Sequence, residues 1–456
     1  MSSIYDFVTW KPLLRLLRAA HAEKAGASGG HVGGWVDRAG NRRLLDARRI
    51  SSSGQGTRAE EEAVEQVRTA LEDAGLVAVS FVAEIWPDGR RTVIHLLPPD
   101  LAAYTDIGEL PGTLVLVENS APEPWRRLPD PMPDAAPAPS ADPELLERTL
   151  RERLPDAIGA TQEELDAAQE RLGVPLPDEL TVLYRATRAN WEDYGDVQAA
   201  DRECEAVGCE LFPLEEVYVA DAASRPFEWK SAATKAVVTP PGSAVQGLAG
   251  SPGWIVFGDS GGGDLIAVDL TPGPGGHLGQ IIWLDHEKAI GADLRAESLT
   301  DMVVNRRDQW LTGPHGNGPG VVAHVNGGHL PDVEAAAHPR LEVLSIGPRD
   351  RPLSLAPVIG LPRLRTLCAA AGSLTDPLEI TRLDALEFLE LAPDQWRVLL
   401  DADAVPRSLL AARIEVNTRS KPDLFPLTAL AAEIFALWDR SPYSQTTIEG
   451  HLDPMP

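Results

Sequence analysis

Apolar and polar positions alternate along this chain with periods that change from segment to segment. Near the start, Trp10, Leu13, Leu14, Leu17 and Ala20 recur at the spacing of one helix face, which predicts an amphipathic helix. Further on, Ala63, Val64, Val67 and Leu71 line another such face. Thr57 followed by Glu60 reads as its capping box, and Gly75 as its stop. The stretches "LVAVSFVAEIW" and "RRTVIHLLP" then flank "PDG", a β-hairpin pattern, and "GTLVLVE" adds a further strand. Residues 1–120 therefore read as a small α/β domain.

Residues 121–143 are dense in proline, "APEPWRRLPDPMPDAAPAPSADP". Such a stretch forms neither a long helix nor a central strand, so it reads as a stiff, extended linker. After it, Thr161 and Glu164 form a second capping-box pattern. Leu165, Ala168 and Leu172 trace that helix and Gly173 ends it. Pro177 opens another helix carrying Leu180, Leu183 and Tyr184. Three strands follow in "GWIVFGD", "DLIAVDL" and "GQIIWLD". The glycines between the first two predict a tight hairpin turn.

The last third repeats a pattern, LxxLxL, at Leu341/Leu344/Ile346, Leu364/Leu367/Ala369 and Leu386/Leu389/Leu391. The two offsets, 23 and 22 residues, fit leucine-rich repeats, whose units bury their leucines only by stacking on neighbours. Val321, Ala323 and Val325 suit a first strand, and Ile414 with Val416 a last one. The repeat region is read as 320–418, with Glu342, Arg365 and Glu387 on its outward face. A helix within 424–440 is expected to cap it.

Charge changes this picture most in the middle. The chain carries a formal net charge of −27. Residues 144–312 hold 30 acids against 14 bases, an excess of 16. Such a surface repels nucleic acid, which needs Lys and Arg against its phosphates, and it steers basic proteins inward. The densest part is 191–216, with nine acids, one base, and the aromatics Trp191 and Tyr194 interleaved. Only Cys204, Cys209 and Cys368 are present, with no CxxC pair, which argues against a disulfide framework and a thiolate zinc site. With no signal-peptide pattern and no long apolar run, the expected location is the cytoplasm.

"GDSGGG" at 258–263 opens like the nucleophile motif of chymotrypsin-like proteases, and His21 and Asp106 precede Ser260 in the right order. His21, however, falls in the opening helix and Ser260 lies beyond the proline-rich stretch. A turn role for the glycines, with Asp259 or Ser260 accepting from nearby amides, is the better reading. A cation at Asp259, Ser260, Asp264 and Asp269 is not expected, since hard cations need several converging oxygens.

Four blocks in order, "LGVPLPDELTVLY" (172–184), "ELFPLEEV" (210–217), "WIVFGDSGGGDLIAVDL" (254–270) and "GQIIWLDHE" (279–287), resemble the SUKH superfamily. "ESLTDMV" (297–303) resembles the helix that closes that domain. One departure is "RANWEDYG" at 188–195, where the family usually has an Asn-Gly pair. The superfamily includes fungal cell-wall-assembly regulators and bacterial immunity proteins. For residues 144–312 the resemblance implies a partner-binding α/β domain, not an enzyme; no cofactor and no metal are expected. The expected fold class is α/β (α+β) and multidomain: a SUKH-like mixed sheet with helices, then a short leucine-rich-repeat solenoid.

The expected function is neutralisation of a polymorphic toxin by stoichiometric binding. A regulatory scaffold joining endogenous proteins is the alternative, and a hydrolase using Ser260 a distant third. The expected partner is a protein, such as a basic toxin domain, and neither nucleic acid nor membrane. Candidate partner-binding residues are Trp191, Glu192, Asp193, Tyr194, Asp196, Glu203 and Glu205. The Gly-rich hairpin adds Asp259, Ser260, Gly262, Gly263, Asp264 and Asp269, as turn-formers or as a second binding surface.

Overall fold

The computed structural model describes residues 3–21, 30–38, 42–44, 54–85, 91–97, 113–193, 197–288, 290–306, 321–415, 424–440 and 446–452. The chain forms two compact units, one of Met1–Ser120 with Ala323–Pro456 and the other of Ala121–Val322. The first unit is thus discontinuous in sequence. The expected separate domain at 1–120 is corrected on this point.

The first half of that unit opens with α1 (Phe7–His21), whose Trp10, Leu13, Leu14 and Leu17 are fully buried. The Trp10 indole N–H donates to the Ile4 carbonyl at 2.8 Å, so the large ring is buried without an orphaned donor. Strands β1 (Gly30–Asp37) and β2 (Arg42–Leu44) come next. Helix α2 (Gly54–Asp73) begins three residues before Thr57, so the Thr57–Glu60 pair does not mark its start. Its apolar face begins only at Ala63, and the polar turns before it carry no periodic signal. Gly75 ends the turn after it at φ 70°, as expected. Strands β3 (Ala78–Ile85) and β4 (Thr92–Leu97) pair antiparallel, as the hairpin pattern requires. Strand β5 (Thr113–Val115) does not join them; it pairs elsewhere, as described below.

The second unit begins with the proline-rich segment, which is a strap rather than a free linker. Trp125 is buried and its indole N–H donates to the Arg225 carbonyl at 2.8 Å. The Gln246 amide exchanges two hydrogen bonds of 2.8 Å with the main chain of Asp130. The Leu278 N–H donates to the Ala136 carbonyl at 2.9 Å. Proline removes donors from the segment, yet its remaining N–H groups and carbonyls find partners in the rest of the unit: Trp125 and Asp130 donate outward, while the Asp130 and Ala136 carbonyls accept.

Helices α3 (Pro143–Arg153), α4 (Gln162–Leu172) and α5 (Asp178–Ala186) follow, then α6 (Val197–Val207). The α4 capping box forms as expected: Thr161 N–H donates to Glu164 at 2.7 Å, and Glu164 N–H to the Thr161 hydroxyl at 3.3 Å. Gly173 closes the helix at φ 71°. Two short strands, β6 (Glu210–Leu211) and β7 (Tyr218–Val219), precede β8 (Trp254–Asp259), β9 (Leu265–Asp269), β10 (Gln280–Leu284) and β11 (Asp293–Ala296). The antiparallel order is β11-β10-β9-β8-β6, with β7 also on β8.

Both faces of this sheet are covered, which explains the unbroken apolar run Trp254–Phe257. Ile255, Phe257, Ile266, Val268 and Ile281 pack with Leu150, Leu165, Leu183 and Tyr184 of the helices. Trp254, Val256, Ala267 and Ile282 face the other way, toward Ala220, Val245 and Leu248. Helix α7 (Leu299–Val303) closes the unit. Its first N–H groups are capped by a carboxylate from α5: Glu179 accepts from Leu299 and Thr300, each at 3.0 Å.

On its return the chain forms β12 (Val322–Val325), β13 (Val343–Ile346), β14 (Thr366–Ala369) and β15 (Phe388–Leu391). Helix α8 (Pro393–Asp401) and β16 (Ala411–Ile414) come after. Strands β13 to β16 are parallel and in register, with Leu344, Leu367, Leu389 and Ala412 side by side. The repeated leucines meet in one core that also takes Leu409. The last strand of the stack therefore follows Leu409/Ala412/Ile414; Val416 lies outside the described residues.

The opposite face is not open to solvent as expected. Glu342 and Arg365 are 4% and 5% exposed and pair at 3.3 Å, and Val343, Thr366, Phe388 and Ala411 are fully buried beside them. Parallel strands are usually covered on both faces, and this sheet follows that rule. Helix α9 (Leu424–Ala436) packs Leu427, Leu430, Ile434 and Phe435 onto the leucine core. Strand β5 pairs antiparallel with β16 at the end of this stack. The last strand, β17 (Thr446–Gly450), pairs with β4 and completes the first sheet in the order β17-β4-β3-β1-β2.

Candidate functional site

The acidic 191–216 segment is not one loop. A 3-10 turn, Trp191–Asp193, leads into α6. Tyr194 and Asp196 lie outside the described residues. Arg188 organises the turn. Its guanidinium grips Asp193 with two bonds, 2.7 and 3.0 Å, and reaches Glu164 of α4 at 2.9 Å. The fork geometry of arginine suits this bidentate grip. Those bonds hold the Asp193 carboxyl below its usual range. The Glu164 carboxyl is lowered first by the Thr161 amide and hydroxyl, then by Arg188.

Glu203 is a different kind of acid. It is 4% exposed and accepts from the buried Thr187 hydroxyl. Its expected place on a partner surface is corrected: as the seventh residue of α6 it faces inward, where helical spacing puts it with Ala206 and Val207. Asp193, too, is committed to Arg188 within the fold. Glu192 and Glu205 remain exposed.

The structure adds acids that sequence reasoning left out. Glu163, Asp166 and Glu170 stand exposed along one face of α4, three and four residues apart. Asp201 and Glu205 do the same on α6, beside Val197, which is 68% exposed. The helical pattern of the inward residues Leu165 and Ala168 already implied that α4 face. Arg188 ties α4 to the 3-10 turn, so Glu192 and the α4 acids belong to one neighbourhood.

The Gly-rich stretch is a hairpin turn between β8 and β9. Asp259 accepts from the Gly261 and Gly263 amides at 2.6 and 3.4 Å. The Ser260 hydroxyl accepts from Gly262 and Asp264 at 3.1 and 3.3 Å. Gly261 and Gly263 hold φ values of 80° and 94°, while Gly262 does not need a positive φ. Gly258 matters for space: a Cβ there would lie 2.8 Å from the Glu210 carbonyl of β6. Ser260 thus serves its own turn. Of the residues read with it as a triad, His21 ends α1 and Asp106 lies outside the described residues. Burial pushes the Cys209 thiol up to about 12, which leaves it protonated and unreactive near neutral pH.

Asp264 and Asp269 lie at opposite ends of β9, so the hairpin candidates are not one cluster. Asp269 is fully buried and accepts from Thr271 N–H at 2.8 Å and from the Gln280 side chain at 2.9 Å. Burial pushes its carboxyl up to about 6. Asp264 is half-buried and accepts from the main-chain N–H of His286 at 2.9 Å, with the His286 Nδ1 at 2.7 Å. That contact raises the imidazole above its ordinary value.

No helix among the described residues is long and apolar enough to cross a membrane. Residues 159–305 match the model of the SMI1 / KNR4 family (SUKH-1). The match falls inside the second unit and contains all four sequence blocks quoted above together with the closing-helix block. No curated protein matches the chain.

Proposed function

We propose that the second unit is a protein-binding domain that neutralises a basic toxin by one-to-one binding and occlusion. The observation that carries this reading is the set of acids left exposed once the fold has used its own. Glu164, Glu179, Asp193 and Glu203 are spent on caps, on Arg188 and on Thr187. Glu163, Asp166, Glu170, Glu192, Asp201 and Glu205 remain exposed around α4, the 3-10 turn and α6. An uncompensated acidic face attracts a basic partner and speeds its encounter. The SUKH-1 match supports a binding role over an enzymatic one. The three free cysteines suit a reducing compartment and hence action in the cytoplasm.

The parallel strand stack we read as leucine-rich-repeat-like. A scaffold gripping partners through its strand face would need that face open, and the burial of Glu342 and Arg365 weighs against this use. The test is association kinetics of the full chain with basic toxin domains as candidate partners. One-to-one complex formation, loss of toxin activity and an on-rate that falls as salt rises are expected. A salt-independent on-rate, or binding without inhibition, would overturn the reading.

A further inference from the structure

Strands β9 and β10 end side by side, with Leu265 opposite Leu284 as their last pair. The next residue on each strand is an aspartate, Asp264 before β9 and Asp285 after β10, and His286 follows. One ligand atom from each of Asp264, Asp285 and His286 lies within 4.8 Å of the other two. We propose that these three residues form a binding site for a divalent transition-metal ion of the zinc class.

The donor set points to that class. Two carboxylate oxygens and one imidazole nitrogen suit zinc and its neighbours, whereas calcium and magnesium favour all-oxygen shells. Ligands at roughly 2.0–2.2 Å from a tetrahedral ion stand about 3.4 Å apart, so side-chain rotation alone brings these atoms into place. The main-chain N–H of His286 fixes the Asp264 carboxylate from the protein side. Such a supporting bond orients a ligand before the ion arrives. Access is open, because the His286 side chain is 53% exposed.

The neighbouring cation does not block the site. Lys288 sits 3.5 Å from Asp285 but 2.8 Å from Asp293, and it can stay with Asp293 when an ion takes Asp285. A metal ion competes with protons for the His286 nitrogen and the two carboxylates. Binding should therefore release a proton and weaken as pH falls. An ion here would tie the Gly-rich turn to the end of β10, two segments that the β9–β10 pairing brings side by side. The sequence offers no reason to expect a metal, because Asp259, Ser260, Asp264 and Asp269 are weighed there against a hard cation's need for several converging oxygens; Asp285 and His286 enter only through strand pairing.

The test is calorimetric titration of the chelator-treated full chain with zinc chloride at pH 7.5. One equivalent should bind, and His286→Ala should weaken binding by at least about tenfold, as loss of a ligand does. Asp285→Asn should do the same, giving a second probe that leaves the turn itself intact. Lowering the pH to 5.5 should weaken binding by a similar factor. His324→Ala, on the exposed edge strand of the first unit, should change nothing. Absence of stoichiometric binding overturns the proposal. So does binding that survives both the His286 and the Asp285 substitutions in protein whose thermal unfolding is unchanged.

Discussion

The ring of Phe7 fills the space that a side chain at Gly450 would occupy. A Cβ at Gly450 would lie 2.1 Å from the Phe7 Cγ and 2.3 Å from Cδ1. The contact joins α1 to β17, the first helix to the last strand, inside the discontinuous unit. Gly450→Ala should therefore destabilise that unit by about 1–3 kcal/mol, the usual cost of overpacking. Removing residues 446–456 should cost more, since it also strips β4 of one of its two partners and takes away the buried Ile448. Denaturant unfolding of the full chain reads both. An unchanged midpoint for Gly450→Ala would mean that the ring moves aside freely.

The turn at 259–264 makes a graded prediction. Gly261→Ala and Gly263→Ala should each lower stability by about 1 kcal/mol, because alanine resists the positive φ held there. Gly262→Ala should be nearly neutral, since its Cβ would meet only the Ser260 hydroxyl at 3.5 Å. Ser260→Ala should cost roughly 1 kcal/mol through two lost amide partners, and it should leave partner binding intact. Thermal unfolding of the four variants gives the ranking. Labelling of Ser260 by a fluorophosphonate would contradict the turn role.

Ala189 holds a φ of 58° while nearly buried. That left-handed conformation costs an L-residue roughly 1–2 kcal/mol. It falls in the 188–195 segment, where the sequence departs from the Asn-Gly pair usual in the SUKH family. Ala189→Gly should relieve the strain, and the larger entropy of an unfolded glycine offsets part of the gain. A net stabilisation of about 0.5–1 kcal/mol is expected in urea unfolding. A loss of stability would mean that the alanine methyl packs better than the backbone strain costs.

Asp269 gives the chain a pH signature. Its carboxyl sits at about 6 in the folded protein against an ordinary 3.8, because burial disfavours the charge more than its hydrogen bonds favour it. The folded state thus binds this proton more tightly than the unfolded state. The stabilisation is complete below about pH 4, declines as pH rises toward 6, and is gone above it. At about 1.4 kcal/mol per tenfold step, the change is on the order of 3 kcal/mol. Asp269→Asn lacks the titration, so the stability of the wild type minus that of the variant should fall between pH 4 and 6.5. A flat difference would show that the hydrogen bonds from Thr271 and Gln280 outweigh burial.

Local signals in the sequence carried far, and pairing across long separations did not show. The Thr161–Glu164 box, Gly173, Gly75 and the LxxLxL rows all act within a turn or a fixed period, and each stands where its chemistry puts it. β1 went unread because its sequence, "GHVGGWVD", breaks the alternation with glycines. β5 and β17 were unreadable as to sheet, since nothing local in "GTLVLVE" or "TTIEG" names a partner some three hundred residues away. Glu179 and Arg188 carry no signal of their own in the sequence, and only the fold reveals one as the cap of α7 and the other as the clamp on Asp193. The acidic segment was legible as charge, but its inward and outward members separate only once α6 sets their phase.

That separation yields the prediction closest to function. Glu203 and Glu205 are two residues apart on α6, yet one is buried against Thr187 and the other is exposed. Glu203→Gln removes a charged acceptor from a buried pair and should cost roughly 1–3 kcal/mol of stability. Glu192→Gln and Glu205→Gln should leave stability within about 0.5 kcal/mol, as exposed substitutions do. With a basic partner in hand, the same two changes should slow association and leave dissociation nearly unaltered, because long-range charge acts on the encounter. Adding Asp201→Gln and Glu170→Gln should slow it further while the salt dependence flattens. Stopped-flow association across a salt series reads both effects. If the on-rate is unmoved by all four exposed changes, the acidic face serves solubility alone, and the partner docks on another surface.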